Sequence, residues 1–301
     1  MMLSLLSLVY FVMPPGLVPI FLLMREGRLP ECARIGATQT IADHVLTMLL
    51  IVIWPGAWAI VLPKLLTAPL WTCLARRARS WRIDPRAGLA PMGSFRNFGI
   101  GILASEILAA CRMQADKLLV GFFFGTKMLG VYYFAFNAGL GISQSLASAF
   151  GIVLLPHLSR FPVAARRTVE AARVLLWAML AFGPVVLAQS LLAPQYVPII
   201  FGEEWAEAGI YVSVMALAGL PLLAGAALSA LYRANGTTYK EASLATLVAI
   251  ACLAGLAMGC QLSLLAACAG YLAGLALTLL PAAASIFLRF VNPKTILVRS
   301  M

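Results

Sequence analysis

The chain has 301 residues, of which 62% are hydrophobic and only 11% are charged, with a mean hydropathy of +0.95. Soluble domains carry roughly a quarter charged residues, so this composition excludes a soluble fold. Apolar windows long enough to cross ~30 Å of hydrocarbon recur without the ten-residue alternation of a membrane barrel, so the spans are helical and the net charge of +11 has to be read from its placement.

Nine spans are predicted, at about residues 2–24, 36–53, 55–75, 98–119, 130–156, 173–193, 207–231, 241–260 and 264–288. The first is followed by Arg25, Arg28 and Arg34, and the third by Arg76, Arg77, Arg79, Arg82, Arg86 and Arg96. Arg160, Arg166, Arg167 and Arg173 follow the fifth, Arg233 and Lys240 the seventh, and Arg289, Lys294 and Arg299 the ninth. These alternate loops hold 18 of the 22 basic residues, which marks them as cytoplasmic. The basicity therefore reports topology and affinity for anionic lipid headgroups, with no nucleic acid implied. The opposite loops, near 54, 120–129, 194–206 and 261–263, are short and include Glu203, Glu204 and Glu207. The amino terminus is then expected outside and the carboxyl terminus in the cytoplasm. An outward start without a basic n-region is unlike a signal peptide and leads to the expectation of further helices upstream.

Residues 76–97 carry six arginines and read as a cytoplasmic linker between three spans (1–75) and six (98–301). Residues 159–174 are amphipathic after Pro162 and are expected to lie along the inner surface as an interfacial helix. The six cysteines show no CxxC or CxxH spacing and read as small packing residues, with no metal implied.

A charge within lipid needs a partner or a wet cavity, so the polar residues inside spans are the functional candidates. In the second span Gln39, Asp43 and Thr47 recur at helical spacing beside Thr40 and His44. In the third, Lys64 follows Pro63, with Thr67 and Trp71 on the same side. The fourth places Arg112 and Asp116 one turn apart, close enough to pair, with Glu106 and Lys117 on another face. The fifth carries a stripe of Tyr133, Asn137, Gly141, Gln144 and Ser148. Four such stripes predict a central cavity, although each taken alone also fits interhelical hydrogen bonding. Lys117 and Lys127 are expected to reach the outer interface. No GxSxG, HExxH or phosphate-cradling loop is present, so neither an enzyme nor a cofactor is expected.

Asp116, Leu119, Gly121, Gly125, Gly130, Tyr132 and Ala135 resemble the D-x-x-L-x-G-x-x-x-G-x-x-x-x-G-x-Y-x-x-A signature of the polysaccharide transporter (Wzx-type oligosaccharide flippase) family, part of the multidrug/oligosaccharidyl-lipid/polysaccharide exporter superfamily. Leu155, Pro156, Leu158 and Ser159 are similar to the family's next helix end, and Phe201, Gly202 and Trp205 to its F-G-x-x-W outer loop. Leu22, Arg25 and Arg28, and then Gly56, Trp58 and Ala59, match its upstream segments. The resemblance implies an all-α polytopic membrane protein with two six-helix lobes. Residues 1–75 would be the last three helices of the first lobe, whose first three are missing, and 98–301 the complete second lobe.

The implied function is a flippase for polyprenyl-diphosphate-linked oligosaccharide in the bacterial inner membrane, working by alternating access. Its partners would be membrane lipids and the polysaccharide polymerase and glycosyltransferases. Lys64 and Arg112, with His44, would bind the diphosphate, and Asn137, Gln144 and Ser148 the sugar hydroxyls. Trp71 would stack on a ring, and Asp43, Glu106 or Asp116 would carry a coupling ion. A multidrug exporter of the same superfamily and a truncated, non-transporting scaffold are the alternatives. The glycines at 121, 125 and 130 are expected to form a hinge, with Tyr132 and Tyr133 anchored near the interface.

Overall fold

A computed structural model describes residues 5–54, 56, 58–82 and 93–291, and every regular element among them is helical. Arg86, Lys294 and Arg299, together with linker residues 83–92, lie outside the described residues. The chain forms two compact units, residues 1–90 and 91–301.

The first unit holds α1 (Pro14–Arg25), preceded by a single turn at Val9–Val12, then α2 (Leu29–Ile53) and α3 (Trp58–Ala78). Its core is small, with Ile20 and Leu23 of α1, Ile35 of α2, and Trp71 and Ala75 of α3 packed together. Gly16 makes this possible, because a Cβ there would lie 2.8 Å from the Trp71 ring. At one end Arg28 grips Glu31 through two 2.7 Å hydrogen bonds, and Arg79 reaches Glu26 at 2.9 Å. The Glu31 hydrogen bonds raise the pKa of Arg28 above its ordinary value.

The second unit opens with α4 (Gly93–Ala135), which is not one straight rod. Gly125 has φ +75°, a left-handed conformation that glycine adopts without strain, and the chain reverses there. The nested contacts show the reversal: a Cβ on Gly121 would lie 3.3 Å from Leu129, Asp116 meets Tyr132, and Met113 meets Gln144. The predicted fourth and fifth spans are thus the two arms of one helical run that continues to α5 (Ile142–Ser159). A π-turn at Phe136–Gly141 interrupts the second arm, and the Gln189 amide donates to the Ala138 and Gly139 carbonyls at 2.9 and 3.2 Å. A π-turn shifts the carbonyl register, and Gln189 supplies a partner where the ordinary helical one is lost.

Next come α6 (Ala164–Phe201), a 3₁₀ turn at Glu203–Ala208, α7 (Gly209–Leu217), α8 (Gly219–Ala234), α9 (Thr238–Cys260) and α10 (Leu264–Val291). Two expectations fail in α6. Residues 164–174 are not a separate interfacial helix, and residues 194–201 are not a loop, because α6 runs unbroken through both. Pro184, Pro194 and Pro198 are tolerated inside it, as prolines are in membrane helices whose neighbours satisfy the freed groups. Arg167 ties the start of α6 to the end of α8 through a 2.7 Å bond to the Ala234 carbonyl.

Among the described residues seven helical runs are long and apolar enough to cross a membrane. Large side chains such as Phe122 and Ile199 are more than four-fifths exposed, as a lipid-facing exterior requires. The tightest packing joins α9 and α10. A Cβ on Gly255 would strike the backbone of Gly270, and one on Gly259 the backbone of Ala266. These are two small-xxx-small pairs, Gly255/Gly259 and Gly270/Gly274, that let two backbones touch where hydrocarbon supplies no hydrophobic drive.

Candidate functional site

Within the second unit, α4, α8, α9 and α10 wall a cleft of about 200 Å³. The α4 wall carries Ser105, Glu106, Ala109 and Arg112, which recur one turn apart and so share a face. Facing them are Ser229 and Arg233 from α8 and Glu241 from α9, with Leu244, Val248 and Leu279 completing an apolar side.

The charges are unevenly matched. Arg233 bonds Glu241 through Nε at 2.8 and 3.0 Å and through Nη2 at 2.7 Å, and the same Nη2 donates to Glu106 Oε1 at 2.7 Å. Ser229 donates to Glu241 as well. Arg112 is 9% exposed, donates to the Tyr271 hydroxyl and stands 5.7 Å over the Tyr271 ring. Among the described residues no carboxylate forms an ion pair with Arg112. A guanidinium taken out of water without a counter-ion is costly, and the Tyr271 hydroxyl and ring meet Arg112 where it borders the cleft.

Asp116 does not pair with Arg112, contrary to the spacing argument. It is fully buried and accepts from the Tyr132 hydroxyl at 3.0 Å and from the Lys117 backbone N–H at 2.6 Å, with Lys117 Nζ 3.4 Å away. The Lys117 side chain folds back along its own helix and is 19% exposed. Its ammonium bonds the Met113 carbonyl and lies 4.6 Å from the centre of the Phe136 ring. Tyr132 is likewise buried, so the signature Asp116 and Tyr132 are partners across the Gly125 reversal and not an interfacial anchor. Glu106 shares the cleft with Arg112, where another face was expected.

The remaining candidates are dispersed. Lys64, with a side chain 49% exposed, pairs with Asp43 at 3.4 Å, and Asp43 Oδ1 is buried without a partner. His44 is exposed, and its Nδ1 lies 2.8 Å from the Thr40 carbonyl. Trp71 is packed in the core of the first unit and offers no free face to a sugar, which corrects its assignment. Asn137 is exposed and bonds its own helix at Tyr133 O, Gln144 bonds Met113 Sδ at 3.3 Å, and Ser148 is exposed. None of these three lines the cleft.

Sequence reasoning missed Ser229, Arg233, Glu241 and Tyr271. Arg233 reads as a loop charge because it precedes the turn at Asn235 and Gly236, and Glu241 is only the first residue of a predicted span, although their eight-residue separation places them on adjoining helix ends. Among the described residues no group of three His, Cys, Asp or Glu could hold a metal ion.

A helical chain with an apolar exterior and charges gathered in an internal cleft is an all-α polytopic membrane protein. It belongs to the family described as polysaccharide biosynthesis protein, whose profile matches residues 1–210 and bears out the resemblance read from the motifs. The chain is similar to the amylovoran biosynthesis protein AmsL of Erwinia amylovora, with 28% identity over 167 residues, 54% of this chain and 42% of that protein. It is also similar to the lipopolysaccharide biosynthesis protein WzxC of Escherichia coli K12, with 22% identity over 222 residues, 71% of this chain and 44% of that protein. The chain spans less than half the length of either relative. No solved structure matches it.

Proposed function

We propose that this chain is part of an inner-membrane flippase that moves polyprenyl-diphosphate-linked oligosaccharide across the bilayer by alternating access. Its amino end would face the periplasm and its carboxyl end the cytoplasm. A diphosphate cannot cross hydrocarbon unaided, so a carrier must offer fixed cations inside while the prenyl chain stays in lipid. The observation that carries this reading is Arg112, buried, unmatched by a carboxylate and set in the wall of a cleft. Within residues 1–90, Lys64 is a further fixed cation, its side chain half exposed and 3.4 Å from Asp43, and it is a separate candidate for meeting the phosphate. Glu106 is the carboxylate open to the cleft and the leading group for ion coupling, whereas Asp116 is committed to Tyr132 and Lys117. A multidrug exporter would favour carboxylates in excess of cations, whereas this cleft sets two arginines against two carboxylates.

The test is glycolipid translocation in cells that depend on this protein, comparing wild type with Lys64→Ala plus Arg112→Ala. The proposal expects lipid-linked oligosaccharide to accumulate on the cytoplasmic leaflet and surface polysaccharide to be lost. Unchanged polysaccharide in cells with normal amounts of the variant would remove the cation role.

A further inference from the structure

The cleft contains two cations and two carboxylates, yet both carboxylates lie on Arg233 and none on Arg112. The two carboxylates are not held alike. Glu241 is 5% exposed and fixed by Ser229 together with a three-contact grip on Arg233. Glu106 has a side chain 61% exposed and makes a single contact, to the Nη2 that Glu241 already occupies. It is the acceptor most readily displaced.

Guanidinium groups take phosphoryl oxygens in the same forked geometry as carboxylates, and a phosphoryl group brings enough acceptors for two arginines at once. Such a group in the cleft would neutralise Arg112, which has no carboxylate, and replace the single Glu106 contact on Arg233. Ser105 and Ser229 lie on the same walls as hydroxyl donors, and Leu244, Val248 and Leu279 leave an apolar side along which a lipid chain could lie.

We propose that this cleft is a phosphoryl-binding site complete within residues 91–301, in which Arg112 and Arg233 are the two cations and Glu106 is a resident competitor that the ligand displaces. The proposal rests on the reading of Arg112 as an anion ligand and extends it to Arg233, with Glu106 as a brake on affinity.

Calorimetric titration of the purified full chain in detergent tests it, with inorganic pyrophosphate and farnesyl diphosphate as separate probes. Glu106→Gln is expected to bind about two- to fivefold more tightly than wild type, the range for losing one exposed ionic competitor. Arg112→Gln is expected to bind about tenfold more weakly or worse. Binding of both probes means the phosphoryl group suffices; binding of farnesyl diphosphate alone assigns the site to a lipid-borne group, and of pyrophosphate alone to a soluble one. Binding of neither probe overturns the proposal, as does a Glu106→Gln affinity equal to or below wild type. Glu106 is exposed, so its variant tests the idea even if Arg112→Gln fails to fold. The titration reads no transport. Arg112-dependent translocation without probe binding would leave the carrier reading standing alone, and tightening by Glu106→Gln in a protein that translocates nothing would leave only the site.

Discussion

In residues 1–90 the ion pair at membrane depth is Lys64 with Asp43, 3.4 Å apart, its lysine half exposed, beside a core built around Trp71. In residues 91–301 Asp116 is fully buried, Arg112 nearly so, and both tie into the main core through Tyr132 and Tyr271. The same residue types therefore serve different ends. In the first unit the lysine of the pair is half exposed, whereas in the second the charges are part of the packing and one of them borders a cleft.

The largest effect should come from the most closely packed part of the second unit. Gly255→Leu forces a side chain into the Gly270 backbone and is expected to cost more than ~3 kcal/mol, seen as loss of monodisperse protein in size-exclusion chromatography. Normal folding would mean that α9 and α10 can separate, and the contrast with the first unit would shrink. Next is Asp116→Ala, which strips Tyr132 and Lys117 of a buried acceptor and should destabilise by about 3 kcal/mol in thermal unfolding. Smallest is the combined Lys64→Met and Asp43→Asn change, expected to alter stability by less than ~1 kcal/mol. A loss as large as that of Asp116→Ala would erase the distinction between the units.

The membrane class and most spans were legible because hydropathy is a local property, and the left-handed Gly125 stood where the signature glycines predicted a turn. The F-G-x-x-W motif was also visible, but its purpose was not. Trp205 stacks on Phe134 at 4.2 Å and Phe201 meets the same ring at 4.9 Å, contacts that only tertiary structure reveals. Arg112 is legible in the sequence as a charge inside a span, whereas its partner is not. Helical spacing brought Asp116 within range, but the reversal at Gly125 delivered Tyr132 to Asp116, and α10 delivered Tyr271 to Arg112. Trp71 failed for a related reason: a helix face says which residues align and not whether that face meets water or core.

The most direct test is the rate at which the purified protein, reconstituted into vesicles, translocates a polyprenyl-diphosphate oligosaccharide when Arg112 is changed to Lys and to Gln. A cation-dependent carrier predicts partial activity with lysine and none with glutamine, both variants being folded. Wild-type translocation by Arg112→Gln would contradict it.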